Sequence, residues 1–435
     1  MTNTSAWNEN AGAELNDRAL YAKLLWRLIP FLLACYVVAY LDRVNVGFAK
    51  LQMLSDLQFS EVVYGLGAGI FFVGYVIFEI PSNMILVRVG PRFWISRIMI
   101  TWGIISILMA MVTTPMSFYI LRFLLGVAEA GFIPAILYYL TIWFPSSQRG
   151  KASALFLAGI PLSGIIGGPL SGWILSYLND TAGFAGWQWM FLLEGIPAIA
   201  LGLVCLFYLD NDIESADWLT TVEKEKIKDD VAREAQSKPI HSALDGLLNG
   251  RVWLLSCTYF FFTMGLYGLS FWLPSIIKDS GVTDPLNVGL LTAIPYLGSL
   301  VAMFLVGRSS DKFRERRWHL AMPAVCGSLG LCLSVAYAQN TTLALVALTV
   351  AAMGILTCIP QFYTLPPAIL NGAAAAMGLA VANSVGSVAG FISPYLLGWI
   401  KNITGSTNVG VIVLAAALVV GAVLVFCNPA RLVNK

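Results

Sequence analysis

Six ionisable residues, Asp42, Arg43, Glu79, Arg122, Glu129 and Glu194, stand inside stretches that are otherwise almost wholly apolar. Ionisable groups at membrane depth are costly and face a bundle interior or a water-filled cavity, so each is a functional hypothesis. A guanidinium presents a planar fork of donors that matches a carboxylate in bidentate fashion. Arg43 and Arg122 are therefore candidates for holding an organic anion. The proton affinity of a carboxylate withdrawn from water follows its surroundings, which makes Asp42 and Glu129 candidates for carrying protons.

Spacing sorts these groups. Arg122 and Glu129 are seven residues apart, two helical turns, so they share one face about 10 Å apart along the axis. Tyr36, Tyr40 and Arg43 share a face in the same way, whereas Asp42 is rotated by about 100° from its neighbour Arg43. Neutral groups that would complete an anion site are Tyr40, Tyr75, Tyr267, Gln361 and Asn383. The alternatives are plain. Arg43 lies within two turns of a helix end, close enough to snorkel to the interface. Arg122 and Glu129 are placed to form no more than an ion pair. Glu79 precedes Pro81 near a helix end, where a structural contact with nearby loop bases is expected. Glu194, the Tyr259–Phe262 run and Asn371 are left without a role, and Tyr363 is a single ring for an aromatic substrate to stack on.

The elements that must position these groups follow from composition. Of 435 residues, 58% are hydrophobic and 11% charged, and mean hydropathy is +0.77. Soluble domains carry about 25% charged residues, so the bilayer is the solvent for most of this chain. Spans of roughly 20 apolar residues are expected near 28–48, 64–86, 93–112, 118–143, 152–176 and 188–209, then 252–277, 288–307, 319–338, 342–366, 376–400 and 409–428. Residues 1–27 form a polar N-terminus with no pattern for a removable signal peptide. With that terminus in the cytoplasm, 21 Lys and Arg fall on the cytoplasmic side. Only Lys50, Lys278 and Lys401 fall opposite. This split orients both termini inward. Residues 210–250 are the one long polar stretch between spans, and Thr220 with Glu223 forms a capping box ahead of a charged helix to about Gln236. The expected domains are thus a bundle at 28–209, a cytoplasmic linker at 210–250 and a second bundle at 251–430.

The two bundles resemble each other. The loop Asn83–Arg92 (NMILVRVGPR) and the loop Gly307–Arg317 (GRSSDKFRERR) follow corresponding spans, with Val87-Arg88 and Asp311-Lys312 lying 224 residues apart. This indicates a duplicated six-helix unit in parallel orientation. At this point the chain resembles the major facilitator superfamily, whose loop signature is Gly-x-x-x-Asp-Arg/Lys. The second copy fits, and the first has Asn83 for the glycine and Val87 for the acid. Arg88, Gly307, Asp311 and Lys312 are the expected gating-loop residues. Tyr40–Ala49 (YLDRVNVGFA), Phe78–Asn83 (FEIPSN), Arg122–Phe132 (RFLLGVAEAGF) and Trp187–Phe191 (WQWMF) resemble the anion:cation symporters, within them bacterial tartrate, phthalate and aromatic-acid permeases.

The resemblance implies an all-α fold of twelve transmembrane helices around a central cavity, in the bacterial inner membrane. It implies proton-coupled uptake of a small organic carboxylate, with Arg43, Arg122, Tyr40, Tyr75, Tyr267, Gln361 and Asn383 at the substrate and Asp42 and Glu129 carrying protons. The expected partners are that anion, protons and lipid, with no nucleic acid; the chain is expected to work as a monomer and to need no cofactor or metal. A proton-antiport exporter is the alternative; Gly159-Ile160-Pro161 and Gly167-Gly168-Pro169 in the fifth span are similar to a motif of drug antiporters. No HExxH, GxSxG or P-loop supports an enzyme. Histidines 241 and 319 fall in polar segments, and the seven cysteines form no metal or disulfide pattern.

Overall fold

The computed structural model describes residues 5–237, 249–366 and 372–434. Lys238, His241 and Asn371 lie outside them. Among the described residues, twelve helical spans are long and apolar enough to cross a membrane. The first six are Asp17–Leu57, Glu61–Val89, Pro91–Met111, Pro115–Trp143, Gln148–Tyr177 and Gly186–Tyr208. The second six are Gly250–Asp279, Pro285–Phe313, Trp318–Ala336, Thr341–Phe362, Met377–Thr404 and Asn408–Phe426. Every span expected from the sequence is present, most of them lengthened by a few residues. With an even number of spans the two termini lie on one face, which we call the termini face.

Helix ends follow ordinary capping chemistry. Ser60 accepts from the Val63 N–H, Thr114 from Ser117, Asp284 from Asn287 and Asn340 from Leu343. Proline occupies the first helical position after Gly90, Thr114 and Asp284, where its missing N–H costs nothing. The linker helix runs Thr221–Ser237, and its capping box forms as read: Glu223 accepts from the Thr220 N–H, and Thr220 Oγ1 accepts from the Glu223 N–H. This helix is docked rather than merely solvated. Tyr21 donates to Asp230, Lys23 pairs with Glu223, Lys226 pairs with Asp17, and Ile227 is buried.

Two spans are broken. The first is interrupted at Asn45, between helices Ser5–Val44 and Val46–Leu57. The fourth is interrupted at Ala130-Gly131, where Gly131 takes φ +87°, a conformation that favours glycine. The carbonyl freed at that break is satisfied: Ser82 Oγ donates to Ala130 O at 2.7 Å and accepts from Trp94 Nε1 at 3.0 Å. The freed backbone groups of a broken span need such partners in a bilayer.

The two groups of six meet on the face opposite the termini. The second span packs on the eleventh and the fifth on the eighth, in both cases glycine against backbone. A Cβ at Gly65 would stand 2.7 Å from Pro394 O, and one at Gly168 2.6 Å from Gly289 O. Small residues permit this approach. Around this seam all three lysines of the far face reach across or along it. Lys50 pairs with Glu61 and lies 3.4 Å from the centroid of the Trp272 ring. Lys278 donates to Leu51 O, and Lys401 bridges Glu61 and Asp279.

Candidate functional site

Arg43 lies in the last turn of the helix Ser5–Val44, beside the interruption at Asn45. It is 3% exposed. Its Nη2 forms a buried ion pair with Glu129 Oε1, and its Nη1 donates to the Tyr267 hydroxyl of the second bundle at 3.2 Å. Its guanidinium also lies 5.3 Å from the Phe71 ring, 5.4 Å from Tyr75 and 6.0 Å from Tyr40. Glu129 is the last helical residue before the Ala130-Gly131 break, so Ser82 and Gly131 together fix where this acid stands. The Tyr75 hydroxyl is buried and makes no hydrogen bond.

Arg122 is fully buried, but its fork does not meet Arg43's on a shared point. Its Nε donates to Gly67 O at 3.1 Å and its Nη2 to Ala68 O at 3.4 Å, using spare lone pairs of second-span carbonyls. Its Nη1 has no partner. What the two arginines share is the ring of Phe71, 5.2 Å from the Arg122 guanidinium. The Arg122–Glu129 ion pair that stood as the alternative does not form; Glu129 pairs with Arg43 of the first span instead. Asp42 faces away from Arg43, as the 100° rotation requires. It accepts from Trp102 Nε1 and Ser106 Oγ at 2.9 Å each, and from Asn45 Nδ2 at 3.4 Å. Glu194 accepts from Ser171 at 2.6 Å.

Tyr40 reaches the second bundle through Ser270 Oγ, 3.1 Å away. Asn383 also crosses between bundles, donating from Nδ2 to Glu79 Oε1 at 2.7 Å. The expected contact of Glu79 with loop bases is therefore not what forms, since the carboxylate turns inward toward the eleventh span. The Tyr363 hydroxyl donates to Asn383 Oδ1 at 3.5 Å and lies 3.3 Å from that of Tyr259. Gln361 is placed beside Gly307, at the start of the second loop motif. Arg88 is exposed on the termini face, Asp311 pairs with Arg316 at 2.7 Å, and Lys312 lies 5.6 Å from the Phe313 ring. In the first copy of the loop, Asn211 Oδ1 accepts from the Arg92 N–H.

Sequence reasoning missed Phe71, Tyr259, Ser270 and the Glu79–Asn383 bond. Tyr259 was within reach, since it stands eight residues before Tyr267 and so shares its helix face. Nothing in one sequence announces a bond between positions 79 and 383.

Twelve spans in two sixes, closed against each other on one face and bringing buried charge together where they meet, define a secondary-transporter architecture. The sequence model of the Major Facilitator Superfamily matches residues 32–394, and the chain belongs to that family. It is a multi-pass membrane transporter. A metabolite transport protein of Pseudomonas putida, NicT, is 49% identical over the whole of both chains. A protein of Agrobacterium vitis named for tartrate transport is 46% identical over 95% of each chain. A quinolone resistance transporter of Acinetobacter baumannii is 38% identical over 96% of each. Among solved structures, the Escherichia coli xylose transporter XylE, in a partially occluded inward-open state, superposes with a TM-score of 0.71. It covers 93% of this chain and 99% of its own at 15% identity, and so bears on the fold alone.

Proposed function

We propose that the chain imports a small organic carboxylate together with protons, with both termini and the linker in the cytoplasm and the far face outward. The observation that carries this reading is the buried Arg43–Glu129 pair, which Tyr267 ties to the second bundle. A substrate carboxylate that takes Arg43 displaces Glu129. Left without its cation in a buried site, Glu129 takes a proton, because an unpaired buried charge is costly. The loaded site then has the same net charge as the empty one, and the carrier can reorient. A dicarboxylate adds one charge, for which the unengaged Nη1 of Arg122 and the Tyr75 hydroxyl are the available donors in this reading. Asp42, held apart behind the first span, is assigned as a second proton site. The tartrate-transport name of one relative supports the carboxylate class.

The quinolone relative favours a second reading, export by proton antiport. The arginine fork suits a carboxylate carried in either direction, and the relatives named for metabolite and tartrate transport are the more similar, at 49% and 46% identity against 38%, so import ranks first. Uptake into sealed proteoliposomes under an inward proton gradient, with aromatic, hydroxylated and short dicarboxylic acids, separates the two. Accumulation of an acid supports import. In Glu129→Gln the same acid exchanges across the membrane but no longer accumulates uphill. Retained accumulation in that variant rules out Glu129 as an essential proton carrier.

A further inference from the structure

Glu79 has no part in the scheme above, and it is a buried carboxyl with little compensation. It lies four residues after Tyr75 on the second span, one turn toward the termini face, and so shares the face that lines the Arg43 site. It is 5% exposed. Among the described residues no lysine or arginine forms an ion pair with it; Arg43, the cation whose charge reaches it, is engaged by Glu129. Its Oε1 accepts from Asn383, while Oε2 is buried and makes no hydrogen bond. The side chain of Ser384 stands near the carboxyl without filling that oxygen. An ionised carboxyl offers about four acceptor positions, and this one has a single good donor.

The two ends of the site therefore differ in polarity. Around Arg43 the protein presents donors, which suit an anion. One helical turn away, about 6 Å along the span, Glu79 presents an unfilled acceptor, with the amide of Asn383 fixing its orientation from the opposite bundle. An acceptor buried without a donor is a defect unless something supplies the donor. A first-bundle carboxyl held by an amide of the second bundle is well placed to sense what lies between them.

We propose that Glu79, oriented by Asn383, reads a hydrogen-bond donor on the substrate, so that the transported acid carries a hydroxyl, amino or ring N–H group at the end remote from its carboxylate. The inference rests on the carboxylate reading and narrows it. A plain acid of the same shape leaves the Glu79 acceptor unfilled, and sites that hydrogen-bond a substrate hydroxyl or N–H discriminate against analogues lacking it far more strongly than apolar pockets do.

The test is binding to the purified full-length protein, by calorimetry, with acids in matched pairs: 4-hydroxybenzoate against benzoate, and 4-hydroxybutyrate against butyrate. In the native protein the donor-bearing member of at least one pair binds tenfold or more tighter. In Glu79→Gln the gap closes to within about threefold, chiefly through weaker binding of the donor-bearing acid, while the plain acid is held as before. Equal weakening of both members by Glu79→Gln overturns the proposal, since that marks Glu79 as a positioning residue only. Binding of acids by the native protein with no preference within either pair overturns it as well and leaves the carboxylate reading standing. Failure of the folded native protein to bind any of the four acids sinks both. Should Glu79→Gln not fold, Glu79→Asp, which withdraws the acceptor by one methylene, serves the same comparison.

Discussion

Gly126→Ala adds one methyl group at the place where the fourth span crosses the second. That methyl carbon would stand 1.9 Å from Phe71 O, 2.8 Å from Phe71 C and 3.0 Å from Tyr75 N. All three are backbone atoms, so no side chain can swing aside. Ordinary contact begins near 3.4 Å, and relief requires the two spans to part by about 1.5 Å over a crossing normally held at 8–10 Å between axes. Overpacking costs about 1–3 kcal/mol and occasionally more, and a clash with rigid backbone belongs at the upper end. The displaced residues are Phe71, which touches both arginines, and Tyr75, which lies beside Arg43. Misplacement of a functional group by about 1 Å is enough to cost on the order of 10²-fold in rate. Thermal melting in detergent and uptake in proteoliposomes should therefore fall together. Gly150→Ala, where a Cβ meets nothing within 4 Å, serves as the control and should change neither. A Gly126→Ala protein that melts with the native one and retains more than half its uptake refutes the packing argument.

Lys401→Ala should loosen the far face, since Lys401 bridges Glu61 of the first bundle and Asp279 of the second. Partly exposed pairs contribute ~0.2–1 kcal/mol, so a cysteine placed at Ser270 should react with an impermeant maleimide about two- to fivefold faster, and unchanged labelling counts against the latch. Glu315, in the turn between the eighth and ninth spans, gives a pH dependence. Burial alone would raise its carboxyl, but hydrogen bonds from the Trp318 N–H, the His319 ring and N–H, and Asn434 outweigh burial and hold it below the usual range. A depressed folded value stabilises the protein above the unfolded carboxyl value near 4.3, and the contribution is lost as pH falls through the folded value. The native melting temperature should thus exceed that of Glu315→Gln at pH 6, with the gap closing in acid; a gap independent of pH contradicts the assignment.

How much of the fold and the site is readable from the chain divides along physical lines. Hydropathy is a local sum, and the twelve spans and the linker helix emerge from it with edges near their observed places, except in the first span, which extends well beyond both expected ends. Charged residues in apolar runs also announce themselves, which is why Asp42, Arg43, Arg122 and Glu129 stand out in the bare sequence. Their partners are another matter. Two helical turns put Arg122 and Glu129 on one face, yet Arg122 turns to the second-span carbonyls of Gly67 and Ala68 while Glu129 pairs with Arg43. The FEIPSN stretch carries a family resemblance with no physical reason visible in the residues themselves. Its Ser82 proves to staple the Ala130-Gly131 break, and its Glu79 to reach the eleventh span. Periodicity encodes which residues share a face; which face meets which depends on packing between distant segments.

The seam between the bundles has a kinetic consequence. Where Gly65 meets Gly398 and Gly168 meets Gly289, the surfaces in contact are main chain on both sides. Interlocked side chains must withdraw, reorganise in the solvent that enters, and find their packed rotamers again on every cycle. Two ridges of bare backbone have no rotamers to search, so along these stretches closing is a matter of translation. Under the proposed alternating access, a carrier that opens and shuts this face has a joint that recloses along these stretches without a rotamer search.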